Sequence, residues 1–438
     1  MSKPERKQVP HPLKSIPNDW DFEQLGKLIE FKNGYAFNSC NYTEEGKIIL
    51  RMSNISKEGK LQFREDNIKY CSEEEYNHLE SFHLKKGDLV ICMTDVTPEK
   101  AIIGRTAVVD ADNKYILNQR VGRIRITEGE RILGSFLHYF TNFELYLKFM
   151  RERCSGSAQF NLSTSEIKSV YVPLPPIAEQ RKIAAILSSV DEAIEKTEAI
   201  IEQTEKVKKG LMQQLLTKGI GHTKFKKTEI GEIPEEWEVR SIDEIAFVNP
   251  EALSNKTDNN YEFEYIDISS IEKPGKIGKT ARYKFKDAPS RARRLVRTGD
   301  TIVSTVRPYL KGFAFIDKEH DGRVCSTGFA VLRPKASIDP LFLFQSILLN
   351  NFVEFLKSRM TGSNYPAVTA SDIKEYKFGV PTDINEQKEI AKILSIYDRK
   401  LGVEEATLIQ LTNLKKSLMQ SLLTGKVRVK VDDEVVSS

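Results

Sequence analysis

Cysteine is scarce and scattered. Five occur in 438 residues (Cys40, Cys71, Cys92, Cys154, Cys325), an odd number with no C-x-x-C pair. That excludes a disulfide scaffold and a zinc knuckle and makes a reducing cytoplasm the expected setting. No stretch approaches the roughly 18–20 consecutive apolar residues of a membrane span, so no membrane association is expected. The charged start, Met1-Ser2-Lys3-Pro4-Glu5-Arg6-Lys7, has no apolar segment behind it, and no secretory signal is expected. A strong excess of one charge is missing too. With 66 Lys+Arg against 62 Asp+Glu the net charge is +4, which permits nucleic-acid binding only where the positive charge is spatially sorted. Forty per cent apolar residues exclude a mainly disordered chain, and the length exceeds one compact core.

Catalytic signatures are equally thin. The Asn/Asp-Pro-Pro-aromatic motif of an amino-methyltransferase is missing; Asn249-Pro250-Glu251 comes nearest and lacks the second proline. Gly278-Lys279-Thr280 ends like a Walker loop, but Lys273 stands where the first glycine belongs. Glu375-Tyr376-Lys377 has the Glu-x-Lys triplet of a Mg²⁺-dependent nuclease, whereas the matching triplet earlier in the chain is Ser169-Val170-Tyr171, so an exposed strand edge is the better reading. The six histidines have no metal-ligand spacing, and Ser304 and Ser326 lack a nucleophile elbow. No catalytic residue and no metal ligand is assigned. The weight shifts toward a binding protein.

What is present is duplication. Ile16-Pro17-Asn18-Asp19-Trp20 returns as Ile233-Pro234-Glu235-Glu236-Trp237, and the two tryptophans of the chain occupy this one repeated position. Lys86-Gly87-Asp88 returns as Thr298-Gly299-Asp300, Gly156-Ser157 as Gly362-Ser363, and Glu179-Gln180 as Glu386-Gln387. Collinear matches with slowly drifting offset mean two copies of about 210 residues with loop-length changes. The copies differ most in the middle, near 32–85 and 249–297, as a shared scaffold with two variable surfaces would.

Each copy ends in a helical pattern. Ile183, Leu187, Val190, Ile194, Thr197, Ile201, Thr204, Lys208, Leu211 and Leu215 recur with alternating steps of four and three. So do Ile390, Leu394, Tyr397, Leu401, Glu404, Leu408, Leu411, Lys415, Leu418 and Leu422. This is a heptad seam with polar interruptions, and each helix supplies the other with a partner. Prolines 175, 176 and 381 precede the helices, and Gly219 and Gly425 follow them as stops. A helix of about 40 residues is roughly 60 Å long. The rest of each copy reads as short strands and amphipathic helices.

The expected architecture is α+β. An N-terminal extension (1–15) precedes a first α/β domain (16–175) and a first long helix (176–218). A polar, Gly/Lys-rich linker (219–232) leads to a second α/β domain (233–381), a second long helix (382–425) and a tail (426–438). The helices are expected to pack as an antiparallel coiled coil in an internal pseudo-twofold repeat.

Arginine is concentrated inside the domains. The second carries Arg291, Arg293, Arg294 and Arg297 in one short span, then Arg307, Tyr309 and Lys311; the first carries Arg105, Lys114, Gln119, Arg120, Arg123 and Arg125. Arg and Gln grip guanine and adenine edges bidentately in the major groove, while Lys mostly holds phosphate. The loops containing Gln159 and Asn364-Tyr365 could present further groups. The bland alternative for any single arginine is a solvated surface.

The ordered, duplicated set of motifs, with Val172-Pro173-Leu174-Pro175-Pro176-Ile177-Ala178-Glu179-Gln180 before the first helix and Leu215-Leu216-Thr217-Lys218-Gly219 closing it, resembles the specificity subunits of type I restriction–modification enzymes. The resemblance runs from about 16 to 428. It implies two target-recognition domains, each reading one half of an interrupted sequence in double-stranded DNA, with the helices holding their separation. It also implies two modification subunits that bind S-adenosylmethionine and methylate adenine N6. Restriction subunits that use ATP and Mg²⁺ would join them, with no cofactor on this chain. The second copy has Phe378-Gly379-Val380-Pro381-Thr382 where the first has Val172-Pro173-Leu174-Pro175-Pro176, so the twofold equivalence of the partner-binding surfaces is imperfect. Two other classes remain open: a methyltransferase or nuclease with a cryptic site, and a coiled-coil adaptor whose domains bind proteins.

Overall fold

The computed structural model describes residues 16–362 and 366–430. The chain forms two compact units. One comprises the residues up to Thr197 together with those from Thr407 onward; the other is Glu198–Ala406. Both boundaries fall inside the long helices Ile177–Lys218 and Ile384–Leu422. Each unit therefore holds one α/β domain, the first part of the helix that follows it, and the last part of the other helix.

In the first unit, strands Ile29–Asn33, Val121–Ile126, Leu89–Cys92 and Thr106–Val108 form an antiparallel sheet in that order. A second sheet places Lys47–Leu50 between Tyr70–Cys71 and, in parallel, Tyr115–Leu117. All four residues of Leu89–Cys92 are buried because the strand serves two cores at once. Leu89 and Ile91 join the helical side with Phe136, Leu137 and Leu147, while Val90 and Cys92 join Leu50, Tyr115 and Leu117. A period of two along the strand dictates that split.

The second unit repeats the plan. Strands Ala246–Val248, Phe329–Pro334, Thr301–Ser304 and Phe313–Phe315 make one antiparallel sheet. Glu262–Ile266 lies between Ala281–Lys284 and, in parallel, Val324–Ser326, which pairs onward with Ala292–Leu295. Val303 faces the core shared with Phe342 and Phe352, and Ile302 faces Ile266 and Val331.

Several of the heptad positions lie in cores that join the two helices. In the first unit Ile183, Ala184 and Leu187 share a core with Met419, Leu422 and Leu423, and Asp191 pairs with Lys415 at 2.6 Å. In the second, Leu215 and Leu216 share a core with Ile390, Ala391 and Leu394, and Lys208 pairs with Asp398 at 2.5 Å. Within each unit the two helical segments run antiparallel, since later positions of one meet earlier positions of the other. Val190, Ile194, Thr197 and Thr204 are buried. Ile201, Leu211, Tyr397, Leu401, Leu408, Leu411 and Leu418 are half-buried. Three of the polar interruptions have partners: Thr197 Oγ1 donates to the Ala193 carbonyl at 2.8 Å, and the two lysines of the seam make the ion pairs just named.

Two boundaries differ from expectation. The second helix ends at Leu422, and Gly425 beyond it takes a left-handed φ of 67°. The segment read as a linker is partly folded: Phe225–Thr228 pairs with Gly231–Pro234 as a hairpin. Its Gly/Lys composition concealed a turn in which Thr228 Oγ1 donates to the Gly231 carbonyl at 2.7 Å and Gly231 supplies a φ of 107°.

Candidate nucleic-acid interface

The repeated motifs turn out to be joints. Trp20 Nε1 donates to Glu179 Oε2 at 3.1 Å, and Trp237 Nε1 to Glu386 Oε2 at 3.2 Å. Gln180 caps Leu133 N and donates to the carbonyls of Arg131 and Pro175; Gln387 does the same with Asp339 N and the carbonyls of Ser337 and Pro381. Asp88 takes a bidentate bond from Arg125, and Asp300 takes one from Arg333. A Cβ at Gly425 would stand 2.4 Å from Pro17, and one at Gly219 would stand 2.9 Å from Trp237. The glycine that stops each helix thus packs on the tryptophan of the other copy. The tryptophan, glutamate, glutamine and glycine contacts fasten the domains to the helices, while the Gly-Asp pairs tie a turn to a strand inside each domain.

The polar candidates for DNA contact gather elsewhere. In the second domain, Thr301–Ser304 and Val324–Ser326 end on one rim. There Thr305 N donates to Gly328 O at 2.8 Å and Thr327 N to Arg291 O at 2.8 Å. Arg307 N reaches Pro366 O at 2.9 Å, and Val306 bridges Ala367. Arg291, Arg307 and Tyr309 stand on this rim as exposed residues. Asp267 lies at the same end. Burial would raise its carboxyl, but hydrogen bonds from Ser269 and Tyr265, with the charge of Arg291, hold it below the usual carboxylate range.

The first domain has the matching rim. Met93 N donates to Arg120 O at 2.9 Å, Leu162 N to Met93 O at 2.8 Å, and Gln119 N to Tyr35 O at 2.7 Å. Arg120 is exposed with a left-handed φ of 70°, beside exposed Gln119. Gln159 is tied to Asn161, with its Nε2 3.1 Å from Asn161 Oδ1. Arg105 stands at the near end of Thr106–Val108. Its Nε donates to Ala101 O at 2.9 Å, and burial lowers its pKa. Tyr35 was not singled out from sequence. The signal was Gly34, where a Cβ would stand 1.9 Å from the Asn118 carbonyl oxygen, an approach that sets Tyr35 next to that strand end.

Other sequence candidates do not join these rims. The run from Arg291 to Arg297 is not one patch: an extended strand rises ~3.3 Å per residue and alternates its faces. Arg293 lies over the Phe285 ring at 4.7 Å and donates to Ala292 O at 2.8 Å. Arg294 turns inward, with Nη1 buried, and burial lowers its pKa. Arg297, at the far end, pairs with Glu251 at 3.1 Å. Lys114 is at the start of Tyr115–Leu117, away from the rim, with its ammonium 5.0 Å from the Tyr115 ring. Lys311 Nζ is held by Leu348 O at 3.2 Å and Asn350 Oδ1 at 2.9 Å. Arg123 and Arg125 pair with Glu30 and Asp88 inside the sheet. Asn364 and Tyr365 lie outside the described residues.

Burial pushes the thiols of Cys92 and Cys325 up to about 12 and that of Cys71 to about 11. Among the described residues no three His, Cys, Asp or Glu side chains come together to hold a metal, and no helix is long and apolar enough to cross a membrane.

The family model for the type I restriction modification DNA specificity domain matches twice, over residues 17–206 and 234–413. The chain belongs to that family. A putative MjaX specificity subunit of a type I restriction enzyme from Methanocaldococcus jannaschii is 27% identical over 424 residues, covering 95% of each chain. The MjaVIII specificity subunit from the same organism is 26% identical over 436 residues, covering 95% of this chain and 94% of the relative. The crystal structure of a type I restriction–modification S subunit from M. genitalium shares the fold, with a TM-score of 0.60 at 16% identity over 93% of this chain and 97% of that one. Membership in the family gives this specificity subunit a non-catalytic, DNA-recognition role.

Proposed function

We propose that each domain of this specificity subunit reads one half of an interrupted target in duplex DNA through its rim. Gln119, Arg120, Arg105 and Gln159 serve the first half, and Arg291, Arg307 and Tyr309 the second. One observation carries the reading. Two strand-end rims share backbone bonds, Met93 N to Arg120 O with Leu162 N to Met93 O in one and Thr305 N to Gly328 O with Val368 N to Thr305 O in the other, yet carry different polar side chains, as two related readers of unlike half-sites require. The tryptophan–glutamate bonds at Trp20 and Trp237 match, while the polar side chains at the two strand ends differ.

The long helices act as the spacer between half-sites and offer two related docking faces for methyltransferase subunits. S-adenosylmethionine belongs to those partners, and ATP and Mg²⁺ to restriction subunits that join them, in the cytoplasm. Altering both helices by whole turns is expected to change the number of bases between half-sites while leaving both halves intact. Methylation sequencing of cells carrying the complete system reads this out, and an unchanged spacer contradicts the helix assignment. Exchange of one domain for that of a relative is expected to change one half only.

A further inference from the structure

We infer that the loop Thr305–Lys311 is a wedge that enters the base stack of the second half-site, with Leu310 as the inserted side chain and Tyr309 beside it. The inference rests on the DNA-reading role proposed for this rim. Leu310 is 66% exposed and Tyr309 is 39% exposed, at the tip of a short 3₁₀ turn, Pro308–Leu310. Both flanking residues, Arg307 and Lys311, take left-handed backbone conformations, with φ of 47° and 50°. L-residues other than glycine, Asn and Asp seldom adopt these, and such outliers persist where the surroundings over-determine them.

The surroundings do so here. Ser304 Oγ donates to Val306 O at 2.7 Å. Arg307 N is bonded to Pro366 O, Leu310 N to Arg307 O and Lys311 N to Pro308 O, each at 2.9 Å. The Lys311 ammonium pins the far side of the loop to the start of the helix Asn350–Arg359. Pro308 is buried beneath the turn. The loop is therefore a stiff support that holds an aliphatic and an aromatic side chain in water. Duplex DNA is the occupant that fits: the loop springs from the rim that carries Arg291, and apolar side chains pushed between base steps are a known way for a cationic surface to unstack and kink a duplex.

The first domain repeats the device with other side chains. Val96 is 55% exposed, Pro98 follows, and Lys100 closes the loop with a φ of 51°. Its ammonium donates to Arg151 O at 3.2 Å, at the end of Glu144–Arg153. Asp95 stiffens that loop, accepting from Thr97 N at 2.8 Å and Ile102 N at 2.9 Å. A shorter valine in place of leucine and tyrosine gives the first half-site the shallower insertion.

The test uses the full chain assembled with its methyltransferase subunits. The target, read by methylation sequencing, carries 2-aminopurine at successive positions of either half, away from the methylated adenines. The wild-type complex is expected to brighten one step of the second half several-fold. Leu310→Ser is expected to abolish that signal, weaken binding about tenfold and leave the first-half probes unchanged. Arg291→Ala is the control for the reading beneath. If it relaxes the second half while Leu310→Ser changes neither fluorescence nor binding, the wedge is overturned and the DNA-reading role stands. If neither variant affects the second half, both are overturned. If Leu310→Ser impairs assembly in the absence of DNA, the loop is a protein contact and the wedge is overturned. Leu310 is exposed, so its replacement leaves both cores intact.

Discussion

Arg428 and Glu179 form a bidentate ion pair, Nε to Oε1 and Nη2 to Oε2, each at 2.8 Å. Glu179 is buried and also receives Trp20 Nε1, while the third arm of Arg428 reaches Asp19 at 2.8 Å. A residue beyond the second helix thereby locks the first unit shut. The corresponding position in the second unit, three residues past the glycine stop, is His222, whose Nε2 lies 2.9 Å from Glu386 Oε1.

Arg428→Ala leaves Glu179 buried with two donors fewer. Breaking such a pair costs about 1–3 kcal/mol when one partner is part-exposed. Hydrogen exchange is expected to speed up in peptides around Trp20 and the start of Ile177–Lys218, and to stay unchanged around Trp237. Equal acceleration in both places contradicts the local joint.

Asp300 is buried at the turn of the second Gly-Asp motif, holding Arg297 N at 2.8 Å and the Arg333 guanidinium by two bonds. The Arg333 partners, Asp300 and Glu251, raise its pKa. Asp300→Ala removes the bidentate acceptor and is expected to cost about 3 kcal/mol. Asp300→Asn is expected to cost less, since the amide oxygen still caps the turn. Urea denaturation ranks the three proteins, and an alanine variant as stable as the parent refutes the motif's fastening role.

His138 gives the first unit an acid limit. Burial pushes its pKa down to about 4; the Lys415 charge adds to the shift and Asp191 opposes it. Tyr139, on the same helix, donates to Asp191 at 2.9 Å. The folded value lies below the ordinary histidine value of about 6.5, so the unfolded chain binds the extra proton first. The stabilisation is complete above about pH 6.5 and disappears as the pH falls toward 4, a change of about 1–3 kcal/mol. Melting temperature against pH should therefore be flatter in His138→Gln over that window. An identical slope excludes His138 as the source.

At the second rim, Arg291→Ala is expected to relax or weaken recognition of the second half-site by about 1–3 kcal/mol if a base contact is lost. Arg297→Ala, at the opposite strand end and paired with Glu251, is expected to leave DNA selectivity unchanged. Competition binding with half-site variants separates the two.

Much of this architecture was legible in the chain. The duplicated Trp and Glu-Gln motifs reported two copies and prove to be the domain–helix joints, and the duplicated Gly-Asp motif ties a turn to a strand inside each domain. The heptad steps predicted the seams because burial on one helical face has a fixed period. The rims were only partly legible. Tyr35 comes beside Asn118 and Gln119 through a bridge between segments distant in sequence, which local patterns do not encode. Arg293 and Arg294 show how a charge cluster in sequence becomes alternating faces once the segment is a strand. The 225–234 hairpin was hidden by its lysines, and the loop tip at Leu310 by the absence of any charge to draw notice.

The central claim is that two rims on one scaffold read separate halves of one target. Methylation sequencing of cells carrying the complete system, with rim residues Gln119 and Arg120 replaced together by alanine, tests it most directly. The account predicts relaxed sequence in the first half, with the spacer and second half retained. Relaxation of both halves to the same extent, or of neither, would contradict it.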